Sequence, residues 1–163
     1  MTASQRGSAR DPKIRAEGSG MEELRSRLRA GGAPPHSFLV LRGGPDTVSL
    51  LRTHVRRTQR LYRLDGAPLL GVSVFAALDD EGSASRDGLL SGRLVTYSLV
   101  HAVTAGTLAS AGFEVLATFR RPHFTIRLRT DSDAEASQLL EALGPAQENP
   151  YNVDVQRQGP RPQ

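Results

Sequence analysis

The segment Pro122-His123-Phe124-Thr125-Ile126-Arg127-Leu128-Arg129 carries the residue types best suited to chemistry. Side chains alternate between the two faces of a strand. Read as a strand, the segment sends Phe124, Ile126 and Leu128 to one face and His123, Thr125, Arg127 and Arg129 to the other. An imidazole titrates near neutral pH, a hydroxyl both donates and accepts, and a guanidinium grips phosphate oxygens two at a time. In a row they suit proton transfer beside a bound phosphate, with His123 and Thr125 as catalytic candidates and Arg127 and Arg129 as phosphate ligands. The plainer reading is a solvated sheet face that happens to carry one histidine.

A second copy of this text lies upstream. Pro35-His36, Leu41-Arg42 and Asp46 repeat the spacing of Pro122-His123, Leu128-Arg129 and Asp133, as P-H-x4-L-R-x3-D. Each copy is expected to run from a strand into a helix, as duplicated β-α lobes would, which makes His36 the candidate second imidazole.

The remaining charged and polar groups divide into weaker candidates. Arg52, Arg56, Arg60 and Arg63 share one stripe at helical spacing and form a candidate nucleic-acid-binding face. His54 is read as solvated on that basic helix, and His101, between apolar neighbours, as a satisfied sheet histidine. Asp79-Asp80-Glu81 has no spaced histidine partner, so no metal set is visible and no cofactor is implied. Gly43-Gly44-Pro45 precedes a helix but lacks the Lys and Ser/Thr of a phosphate-binding P-loop, so it reads as a plain strand-to-helix turn.

The triplet His123-Phe124-Thr125 resembles the H-x-T/S motif of the 2H phosphoesterases, the LigT-like family. That resemblance implies two pseudo-symmetric lobes facing a central cleft, over about residues 35–143. It also implies two imidazoles acting as general acid and base on a phosphodiester without metal, with the hydroxyls holding the phosphate. In the upstream copy the hydroxyl position is taken by Phe38, and Ser37 falls on the opposite face of the strand. The run Leu108–Val115 followed by His123 is similar to HicA-like messenger-RNA interferases, which implies a toxin whose partner is an antitoxin. There the family's Gly-Ser before the histidine is replaced by Arg121-Pro122.

Positioning these groups falls to a chain of 163 residues, enough for one core without disulfides. It has no cysteine, which excludes disulfides, thiolate metal sites and cysteine nucleophiles. The formal net charge is +4, and Lys13 is the only lysine among the basic residues. Arginine suits phosphate recognition, although GC-rich coding produces the same bias. No apolar run approaches the roughly 20 residues of a membrane helix, and a cytoplasmic protein that does not engage membrane is expected.

Residues 1–20 are expected to be a disordered lead. Met21 is an alternative start, and 21–32 a short helix and linker. Residues 33–156 form the folded domain and 157–163 a disordered tail. Inside the domain, Ser37–Leu41, Leu69–Leu78, Leu94–Val103, Phe113–Phe119 and Phe124–Arg129 read as strands. Helices are expected over about 46–64, over Ala105–Ala111 after the cap Thr104, and from the capping box Ser132-x-x-Glu135 onward. The 79–88 stretch reads as a polar loop. The expected class is α+β, a single domain with two or three helices packed on a mostly antiparallel sheet. Its function is expected to be metal-independent RNA phosphodiester cleavage through His123, or else non-catalytic binding of RNA or a protein through the arginine-striped helix.

Overall fold

A computed structural model describes residues 26–28 and 30–159. The chain runs β1 (Ser26–Leu28), β2 (Leu39–Gly44), α1 (Val48–Leu61), β3 (Tyr62–Leu64), β4 (Ala67–Pro68), β5 (Gly71–Ala76) and α2 (Arg86–Ser91). It continues through β6 (Leu99–Thr104), α3 (Ala105–Ser110), β7 (Glu114–Ala117), β8 (His123–Arg127), α4 (Asp133–Leu143), β9 (Gln147–Glu148) and α5 (Val153–Gln158). Six strands form an antiparallel sheet in the order β7-β8-β5-β2-β6-β9, and a small sheet in the order β1-β3-β4 stands beside it. The class is α+β. Among the described residues no helix is long and apolar enough to cross a membrane.

Local rules place the helices. Thr47 caps α1 by accepting the Leu50 N–H, and Leu51, Val55 and Thr58 recur at the spacing that buries one face. Thr104 caps α3, and Gly112 leaves it with φ +89°, a backbone angle that favours glycine. Ser132 caps α4 through the Glu135 N–H, but Glu135 does not complete the reciprocal half of a capping box. Its carboxylate takes the Arg129 and Thr130 N–H groups instead, tying the end of β8 to the helix that follows.

The sheet is covered unequally. On one face Val40, Val72, Val74, Phe124 and Ile126 pack against Leu51 and Val55 of α1 and Leu139 and Leu143 of α4. On the other, Leu41 and Val100 pack against Leu89, Leu90 and Leu94, in and just after α2. Phe75 borders this second core, and His123 sits beside Phe75 in the adjoining strand.

Several boundaries differ from expectation. Residues 26–28 are not helical: they form β1, parallel to β3, because Leu28 pairs beside Leu64 at the edge of the small sheet. Residues 1–25, with the expected lead and the alternative start at Met21, lie outside the described residues. The expected strand over Leu94–Val103 begins only at Leu99, since Leu94 is drawn into the second core. The expected polar loop ends in a helix, because Ser85 caps α2 through the Gly88 N–H and presents Leu89 and Leu90 to that same core. The expected tail over 157–163 starts as helix, because the Asn152 side chain accepts the Asp154 and Val155 N–H groups and caps α5, which runs on to Gln158; residues 160–163 lie outside the described residues. Before α5, Asn149 donates to the Leu90 and Leu94 carbonyls.

Candidate functional site

The site forms where two neighbouring strands part. β2 and β5 pair at Val40–Ala76 and Leu41–Phe75 and then diverge. In a continued ladder Ser73 would be bonded to the β2 backbone. Instead the Arg42 guanidinium donates from Nη1 to the Ser73 carbonyl at 2.7 Å, and the Ser73 N–H donates to His54 Nε2 at 3.4 Å. Two side chains thereby replace one rung of the sheet. A buried carbonyl and N–H left without partners would each cost on the order of 1–3 kcal/mol, so the insertion is what allows the opening to persist. Arg42 is itself held by Asp46, through Nε at 2.6 Å and Nη2 at 3.3 Å.

A cavity of about 290 Å³ lies at the opening, lined among others by His54, Arg57, Ser73, Phe119, His123 and Thr125. His54 faces this cavity rather than bulk solvent, which corrects the solvated reading. Its pKa is pushed down to about 4, chiefly by burial and then by the Arg42 charge, with Arg57 and His123 adding to the effect and Asp46 opposing it. The ring is therefore neutral at pH 7. Since Nε2 accepts a backbone proton, Nδ1 carries the ring hydrogen.

His123 is set in the same tautomer. Its Nδ1 lies 3.1 Å from the Thr118 carbonyl oxygen and 2.9 Å from the Thr118 hydroxyl. A carbonyl can only accept, so Nδ1 carries the hydrogen and Nε2 keeps its lone pair. The Thr118 hydroxyl also meets that of Thr125 at 2.7 Å, so both buried threonines serve to hold the ring. Phe75 and Phe119 meet the imidazole edge to face, with centroids at 5.6 and 4.9 Å. Burial lowers the His123 pKa and the Arg93 charge adds to that, while the bond to Thr118 pulls the other way.

Phe119 holds its place at a backbone cost. Its φ is +58°, a left-handed conformation worth on the order of 1–3 kcal/mol of strain in a residue other than glycine. The ring stays 53% exposed and packs on Tyr62 at 5.0 Å as well as on His123.

Of the candidates read from the sequence, His123 and Thr125 come together and His36 does not join them. In the register of the sheet, Leu41, Phe75 and His123 occupy one row. His36 precedes Leu39, the first residue of β2, on the side of the strand away from the point where β2 and β5 part. It is exposed in the turn before β2, where its carbonyl accepts the Gly106 N–H. The second imidazole at the cavity is His54, from a helix outside the repeat. Its only signal in the sequence is that it lies on α1 one residue before the buried Val55.

The arginines are also redistributed. Arg127 and Arg129 line a separate cavity with Gln59, Pro68, Leu70 and Glu114. Arg127 lies 3.9 Å from Glu114, and Arg129 Nε lies 3.4 Å from Glu135. Of the expected helical stripe, Arg52 pairs with Asp133 at 2.7 Å and Arg56 with Asp131 at 3.1 Å, while Arg63 lies beyond the helix in β3 and donates to the Gly66 carbonyl. Arg60 is exposed. Arg57, outside the stripe, is the guanidinium at the cavity, and sequence reasoning missed it.

His101 matches its expected role. It is 3% exposed, its Nδ1 donates to the Gly144 carbonyl at 2.8 Å and its Nε2 accepts the Asp46 N–H at 3.0 Å. Among the described residues no three His, Asp or Glu side chains gather as a metal-ligand set.

No family model, curated protein or solved structure matches the chain.

Proposed function

We propose that the protein cleaves RNA phosphodiester bonds without metal, with His123 as the proton-transferring residue. The observation that carries the reading is the orientation of His123: Nδ1 is anchored to the Thr118 carbonyl, leaving the Nε2 lone pair on a ring that lines the same cavity as His54 and Arg57.

In this reading His123 Nε2 takes the proton of a ribose 2′-hydroxyl as its oxygen bonds to phosphorus. The bond from phosphorus to the 5′-oxygen breaks, and the leaving oxygen is protonated by solvent or by the imidazolium so formed. Arg57 offsets the charge that grows on the phosphoryl oxygens, and the neutral His54 donates a hydrogen bond to them from Nδ1. A neutral imidazole suits this electrostatic role better than proton transfer, since it holds its hydrogen tightly. His36, Arg127 and Arg129 take no part.

The test is cleavage of transfer RNA and total RNA by the purified protein in EDTA. We expect cleavage to persist there and to fall at least ~100-fold in His123→Ala, the usual contribution of one general acid/base. Activity abolished by EDTA, or unchanged in the variant, overturns the mechanism.

A further inference from the structure

Five large apolar side chains are conspicuously exposed among the described residues: Leu50, Leu61, Tyr97, Phe119 and Val153. Four of them border two adjoining cavities. Leu61 and Phe119 line the cavity that holds His123, and Leu50 and Tyr97 line a second of about 280 Å³. His54 and Arg57 line both, so the two cavities share one wall that carries a guanidinium and an imidazole. Arg42 and Asp46 also face the second cavity, but they neutralise each other in their ion pair, leaving Arg57 as the charge between the two that no carboxylate among the described residues pairs with.

Each cavity has an aromatic wall. Phe119 and Tyr62 supply it on the His123 side. On the other side it is Tyr97, whose ring lies so close to Gly43 that a Cβ there would come within 2.5 Å of three ring carbons. Glycine at position 43 thus lets the ring rest against the β2 backbone. Each volume is at or just below the lower end of the ~300–1,000 Å³ usual for a small-ligand site, which suits one small unit per cavity. Two aromatic walls flanking a cation are the recognition chemistry of two nucleosides joined by a phosphate, because any base can stack and the phosphate is the anion between them.

We infer that the site takes single-stranded RNA at least two nucleotides long. The 5′-side nucleoside lies in the Tyr62–Phe119 cavity, the linking phosphate lies against Arg57 and His54, and the 3′-side nucleoside stacks on Tyr97. This rests on the cleavage reading for its polarity: the nucleoside beside His123 is the one that presents its 2′-hydroxyl, and the one on Tyr97 departs.

Binding separates the two ideas, since it does not require catalysis. The probes are 2′-O-methyl-UpA, which cannot be cleaved, and 2′-O-methyluridine 3′-monophosphate, each titrated into the full chain at low salt by nuclear magnetic resonance. The dinucleotide is expected to bind about tenfold more tightly than the monophosphate, the worth of one stacked base. Tyr97→Ala and Gly43→Ala should erase that advantage, whereas His123→Ala should retain it. Equal affinity for the two probes, no binding of either, or an advantage that survives in folded Tyr97→Ala overturns the two-nucleotide site. A dinucleotide advantage with no RNA cleavage in EDTA retains the two-nucleotide site and removes the catalytic reading.

Discussion

The Ser73 N–H donates to Nε2 of His54, nineteen residues earlier in the chain, at 3.4 Å. The bond fixes the tautomer of an imidazole that faces the cavity, and burial with the nearby Arg42 charge keeps that ring neutral. Protonating His54 would break it and place a cation beside Arg42 and Arg57, both of which depress its pKa.

A pH dependence follows from this. The folded pKa of about 4 lies below the ordinary histidine value of 6.5. As pH falls through about 6.5 the unfolded chain takes up a proton that the folded protein refuses, so stability falls with pH until about 4, where the folded ring also titrates. The full shift is worth about 3 kcal/mol, and the partial exposure of the ring reduces this to about 1–2. Urea unfolding of the wild type and His54→Gln across that range checks it. A wild-type curve with no more slope than the variant's contradicts the assignment.

Arg42→Ala is expected to destabilise the fold by about 3–5 kcal/mol, because it strands the Asp46 carboxylate and the Ser73 carbonyl together. The side chains of Arg42 and Asp46 are only 11% and 6% exposed, so water cannot readily replace the lost partner. Arg42→Lys should recover little, since an ammonium cannot present the planar fork that serves both acceptors. The measurement is the urea midpoint, and a loss under about 1 kcal/mol would mean that the opened rung does not depend on Arg42.

Arg57→Gln should weaken RNA binding more than the same change at Arg52 or Arg56. The latter two are committed to Asp133 and Asp131, whereas Arg57 lines both cavities. Removing one phosphate contact lowers the slope of log affinity against log salt by about one. Affinities for a short RNA at several salt concentrations, in the three single variants, decide it. A flattened slope in Arg52→Gln and Arg56→Gln, with Arg57→Gln like wild type, would return recognition to the stripe.

Much of the fold is legible in the chain because its causes are local. Thr104 and Ser132 cap the helices they precede, and the spacing of Leu51, Val55 and Thr58 gives α1 its buried face. The alternation in β8 separates buried Phe124 and Ile126 from His123. These features depend on neighbours two to four residues apart, whose geometry the regular backbone dictates. The site depends on neighbours far apart in sequence. His54 reaches Ser73 only because β2 and β5 part after Leu41, and no residue pattern in either strand announces that divergence. Arg52 and Arg56 read as a free basic face until the entry into α4, some 75 to 81 residues later, brings Asp131 and Asp133 against them. The repeat fails at His36 for the same reason. Equal spacing along the chain does not become equal position in the sheet, because register is set by which rows of β2, β5 and β8 pair, and that pairing puts Leu41 level with His123.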